Sequence, residues 1–110
     1  MNESIKAPVA TPFSVNEYIS YAENAVVSKT LIDKGVGSIT LFSFDTGQGL
    51  REHTSPFDAV VEIIDGEAEI TIGGKTSAVQ EGEMILMPAN IPHSLHAAKP
   101  YKMNLIMIRG

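Results

Sequence analysis

Three histidines carry most of the chemistry this chain could do. His53 lies in "REHTSPFDAVVEIIDGEAEI", with Ser55 and Asp58 just behind it, and His93 and His96 lie in "PHSLHA". An imidazole can ligate a metal, move a proton near neutral pH, or simply hydrogen-bond a pocket wall. His53 and His93 form the candidate metal pair. Asp58 would add a carboxylate only if a bulge near Pro56 turned it inward. Two imidazoles alone make a thin site, since catalytic zinc usually has three protein ligands and water. The competing reading is a pair of pocket-lining histidines held by ordinary hydrogen bonds. Ser55 is neutral and a poor stand-in for imidazole, and Asp58 in "SPFD" also fits turn chemistry. His96 follows His93 by three residues, so a regular strand puts the two on opposite faces.

The rest of the chain must position these groups. At 110 residues it is one domain with a single core. It is 44% hydrophobic and 19% charged, ordinary for a globular protein. A net charge of −5 without a basic cluster argues against a nucleic-acid partner. There is no cysteine, which excludes disulfides, thiolate metal sites and cysteine nucleophiles. The N-terminus lacks a signal-peptide pattern and no apolar run is long enough for a membrane span, so the expectation is a cytoplasmic protein without membrane contact.

Residues 1–25 are expected to form an extended arm and one short helix, and residues 26–110 the body of the domain. Ser14 and Glu17 are spaced as a capping box, with Phe13 and Tyr18 as its hydrophobic staple, predicting a helix over 15–21. Strands follow. "VVSKTLID" and "GSITLFSF" are rich in β-branched and aromatic residues, and "AVVEIID" ends at Gly66. "EAEITI" alternates, and Gly73-Gly74 supplies a tight hairpin turn returning through "KTSAV". "EMILM", "PHSLHA" and "KMNLIMI" complete eight or nine strands, an antiparallel sandwich or barrel. Along "HTSPFDAVVEI", period two lets His53, Ser55, Ala59, Val61 and Ile63 share a face. Met84, Met87, Met103 and Met107 suggest either core filler or a soft pocket wall.

"GEMILMPANIPHSLHA" makes the signal specific. Gly82, Pro88 and His93 match the spacing of the second cupin motif, with Asn90 at its turn glycine and Ala97 at its final Asn. Gly47, His53 and Gly66 fit the first motif, with Ser55 where a second histidine would stand and Ala59 where a glutamate would. The chain therefore resembles a small single-domain cupin with a degenerate metal-ligand motif, over about residues 26–109. The resemblance implies an all-β, double-stranded β-helix, jelly-roll-like barrel whose interior holds His53, Ser55, Ala59, Val61, His93 and Met103. It implies a small organic ligand, with or without a weakly held divalent metal such as Zn, Ni or Fe at His53 and His93. A metal-dependent dioxygenase or isomerase is the alternative, and a ligand-sensing module working through a partner is a third. Apolar side chains on both faces of "VVEII", and an arm free to pair along a sheet edge, predict a homodimer.

Overall fold

Ser14 ends the N-terminal arm by turning its side chain onto the residues that follow. In the computed structural model, which describes residues 4–109, Ser14 Oγ accepts a hydrogen bond from the Glu17 N–H at 3.3 Å. Phe13 lies against Tyr18 with ring centroids 4.9 Å apart, closing the staple over helix α1 (Val15–Tyr18). The expected helix through Tyr21 is too long. Ile19 is already extended, with φ −122° and ψ 132°, and its fully buried side chain packs with Leu31 and Leu41. Tertiary burial overrides a helix this short.

Eight strands follow among the described residues: β1 (Val26–Lys34), β2 (Gly37–Phe44), β3 (Gly49–His53), β4 (Asp58–Ile72), β5 (Lys75–Gln80), β6 (Met84–Met87), β7 (His93–His96) and β8 (Tyr101–Ile108). All pairings are antiparallel. One sheet runs β1-β2-β8-β4-β6 and the other β3-β7-β4-β5, so β4 belongs to both. The fold is the all-β, jelly-roll-like barrel.

The sequence reading broke β4 at Gly66, but the strand runs through. Between Ile63 and Asp65 the register against β8 slips by one residue. The bulge reverses the phase, so Ala59, Val61 and Ile63 point inward before it and Ala68 and Ile70 after it. Gly66 completes the change of sheet at φ +82°, where a Cβ would sit 2.4 Å from the Pro100 carbonyl oxygen. Only glycine meets both demands. At the next turn Gly73 and Gly74 take φ +57° and +85°, the two positive angles of a tight hairpin.

The core between the sheets joins Phe44, stacked on Tyr101 at 4.7 Å, to Val61, Ile63, Ile70, Leu95 and Met103. A smaller cluster of Ile19, Leu31 and Leu41 fixes the N-terminal segment to the outside of the first sheet. The arm also pairs along the β1 edge, Lys6 N–H donating to Leu31 O at 2.8 Å and Asp33 N–H to Ser4 O at 2.9 Å. Lys102, only 8% exposed, donates to Asn16 O and Oδ1 at 2.6 and 2.8 Å beneath the Tyr21 ring. Tyr21 in turn donates to Asp65 Oδ2 at 2.5 Å. Burial and the neighbouring carboxylate raise the Tyr21 pKa, so its phenol stays a donor. The arm and barrel thus share one packed body. Met84, Leu86 and Ile108 remain 60%, 67% and 55% exposed on the first sheet's outer face. No helix among the described residues is long and apolar enough to cross a membrane.

Candidate functional site

The site begins with an irregularity in β3. Leu50 pairs with Leu95 and His53 with His93, so three steps along β3 match two along β7. In a regular strand Leu50 and His53 would face opposite ways. The extra residue restores the phase, and both side chains line one cavity. On β7 no such device is needed. His93 and Leu95 face inward two residues apart, while His96 is exposed on the outer face between Gly49 and Glu69.

The two imidazoles meet edge to face, with Nε2 atoms 3.1 Å apart and ring centroids 4.3 Å apart. His53 Nδ1 lies 2.7 Å from Arg51 O, and His93 Nδ1 lies 3.2 Å from Ile91 O. A carbonyl can only accept, so both Nδ1 atoms carry hydrogens. In the neutral rings both Nε2 atoms are therefore bare and close enough together to hold one metal ion between them. Two nitrogens about 2.0–2.1 Å from one ion stand about 2.9 Å apart at a right angle and about 3.3 Å apart at a tetrahedral one. The observed separation falls between these values, so the pair fits one ion in adjacent positions.

The environment is unequal. His93 is 6% exposed, whereas His53 is exposed at the cavity mouth. Burial pushes the His93 pKa below the ordinary imidazole range; the hydrogen bond to Ile91 O opposes this, and His53 reinforces it.

Around the pair the wall is apolar. Ser55, Ala59, Met87, Met103 and Met107 line it, and it encloses about 50 Å³. Ser55 Oγ accepts from Phe57 N–H at 3.1 Å, leaving its own hydrogen without an acceptor among the described residues. The Ser55 carbonyl accepts from Asn90 N–H at 2.7 Å, tying the two rim loops together. Asn90 sits at φ +64°, the conformation its turn position asks for.

Of the sequence candidates, His53, Ser55, Ala59, His93 and Met103 converge on this cavity. Val61 does not reach it. It is fully buried in the core one step deeper along β4. Asp58 needs correction as a metal ligand. No shift turns it inward, and its Oδ1 instead accepts from Ala89 N–H at 2.9 Å, bracing the opposite rim loop rather than its own turn. Met84 lies outside on the first sheet and takes no part in the wall. Leu50 and Leu95 complete the wall without having been singled out. Leu105 joins it on the face that alternation along β8 gives it in common with Met103 and Met107. Among the described residues, no group of three or more His, Cys, Asp or Glu side chains could hold a metal. A wider depression of about 540 Å³, lined by Glu67, Glu81 and Lys99 among others, lies outside this pocket and lacks its convergent imidazoles.

An antiparallel jelly-roll barrel with histidines from two strands meeting at its mouth defines a class of small β-barrel proteins. Residues 40–109 match the model of the cupin domain, and the chain belongs to that family. It is 37% identical to a conserved protein of unknown function from Streptococcus pyogenes. The match covers 98% of this chain and 93% of that one, with a TM-score of 0.90. A cupin superfamily protein from Desulfitobacterium hafniense is 25% identical, with 100% and 99% covered and a TM-score of 0.89. An uncharacterized protein of Streptomyces coelicolor is 30% identical over 59 residues, 54% of this chain. The match spans 56% of that relative's length, little more than half.

Proposed function

We propose that this chain is a small-molecule-binding cupin in which His53 and His93 hold one metal ion at the barrel mouth. An oxygen-donor ligand would complete that ion's coordination. The observation carrying this reading is the 3.1 Å approach of two Nε2 atoms whose Nδ1 partners are both carbonyl oxygens. The protein thereby fixes both tautomers, as hydrogen bonds to the second nitrogen do for ligating histidines generally. A bound ion would supply Lewis acidity and positive charge at the mouth.

The cavity's size favours this over an organic molecule enclosed in the barrel. Ligand pockets usually measure about 300–1,000 Å³, and this cavity holds about 50 Å³. Space for one ion is present; the organic partner belongs at the opening beside the exposed His53. There the free hydroxyl hydrogen of Ser55 can donate to it. A dioxygenase or isomerase would use the same two ligands, but the wall carries no carboxylate base, so binding is the better-supported role.

Metal analysis of tag-free protein, followed by titration of wild type, His53→Ala and His93→Ala, tests the reading. One ion per chain, lost in either variant, supports it. No metal uptake by folded wild type would overturn the metal assignment.

A further inference from the structure

We infer that the ion this pocket selects is monovalent copper. The inference rests on the metal-holding reading above and asks what charge and softness the wall accepts.

Charge comes first. The wall offers two imidazoles, one hydroxyl and three thioethers, from His53, His93, Ser55, Met87, Met103 and Met107, and no carboxylate. Every donor is neutral. The cost of moving an ion out of water grows as the square of its charge, so a dication costs about four times what a monocation does. A neutral wall cannot offset that difference by ion pairing. The mostly apolar wall around the pair adds to this, because it gives little back for the water an ion loses on entering.

Softness points the same way. Ala59, where a carboxylate would neutralise a dication, has Met87 and Met107 as its two cross-strand partners. Met103 faces the same cavity from the β8 side. Thioethers are poor ligands for hard dications and good ones for Cu(I), and imidazole suits copper as well. Leucine could fill the same core positions at little cost to packing. Three methionines lining the same cavity as the histidine pair offer the thioether sulfur a soft cation would use.

The test is an anaerobic titration with Cu(I) against a chromogenic Cu(I) chelator, and a parallel one with Zn²⁺. Wild type, the double variant Met87→Leu/Met107→Leu and the milder single variant Met107→Leu are compared, with circular dichroism checking the fold. Wild type is expected to bind one Cu(I) per chain, at least ~100-fold tighter than Zn²⁺. The double variant should lose at least ~10-fold in Cu(I) affinity while its Zn²⁺ affinity stays within about twofold. X-ray absorption should show sulfur bound to copper. Unchanged Cu(I) affinity in folded methionine variants, or a nitrogen- and oxygen-only copper environment, would overturn the inference. If the double variant does not fold, the single variant and the absorption spectrum decide. Metal binding that survives His53→Ala and His93→Ala would sink the underlying metal reading. Loss in the histidine variants with no effect in the methionine variants would sink only the copper assignment.

Discussion

Ala59→Glu should turn this neutral pocket into a site for dications, and its size can be worked from the structure. Ala59 is 5% exposed, lines the cavity, and lies between Met87 and Met107 in the sheet. A carboxylate about 4 Å from a dication gains roughly 8 kcal/mol at an effective dielectric of 20. Removing the carboxylate from water costs several kcal/mol, and fitting the longer side chain into so small a space about 1–3 kcal/mol more. The net gain for Zn²⁺ is about 2 kcal/mol, or roughly 30-fold in affinity. For a monocation the attraction is halved while the costs remain, so Cu(I) should gain nothing. Without metal, the same carboxylate is buried and unpaired, and the thermal midpoint should fall by several degrees and recover with Zn²⁺. Competitive titration with Zn²⁺ and Cu(I), beside melting curves with and without metal, measures all of this. A folded variant with wild-type Zn²⁺ affinity would show that position 59 does not face the ion. Adding Ser55→His to a variant that succeeds should tighten Zn²⁺ again.

Acid should weaken the fold through His93. Its folded pKa is depressed below the usual 6.5, so below that pH the unfolded chain binds the extra proton and stability declines as pH falls. Urea unfolding at pH 7.5 and 5.5 should show the loss, and His93→Gln should reduce it; an unreduced loss would place the proton elsewhere. Tyr101 is fully buried and its hydroxyl lacks a partner, so Tyr101→Phe should stabilise by about 1 kcal/mol, a rise of about 4 °C in calorimetry. A fall would mean the hydroxyl holds a buried water. The uncovered face bearing Leu86 and Ile108 should pair with a second copy, giving a homodimer by light scattering at micromolar concentration and a monomer in Leu86→Glu. A wild-type monomer would refute that. Gly66→Ala should cost about 2 kcal/mol or more, because a Cβ there meets the Pro100 oxygen at positive φ. An unchanged denaturation midpoint would deny the strain.

What could be read in advance was local chemistry. Ser14 caps its helix, the Gly73-Gly74 turn closes its hairpin, and Asn90 takes a positive φ, because each depends on residues a few positions away. The alternation of Met103, Leu105 and Met107 likewise needs only the strand period. What escaped depends on pairing across the barrel. Gly66 looked like a terminator, yet the bulge before it and the nearby Pro100 carbonyl make it the point where β4 changes sheets. Asp58 could be drawn toward the cavity from its neighbours alone, but its partner is the Ala89 amide, 31 positions away. The spacing of motif residues brought His53 and His93 together without saying that their Nδ1 atoms would be held by carbonyls.

Those carbonyls come from the strand irregularities themselves. Arg51, whose oxygen holds His53 Nδ1, lies within the β3 segment that carries the surplus residue. The bulge that turns His53 inward therefore also supplies the acceptor that fixes its tautomer. His93 uses the Ile91 carbonyl, two residues before it in the turn that contains Pro92. Each imidazole is thus oriented by backbone just ahead of it rather than by another side chain. Backbone acceptors add no formal charge, unlike the carboxylates that often support ligating histidines. The site remains neutral beyond its immediate ligands, and the Asp58 carboxylate that could have altered this is engaged in bracing a rim loop. The same choice that keeps the pair well ordered also keeps it poorly matched to a buried dication. Charge, more than the number of histidines, is what separates this pocket from one lined with a carboxylate.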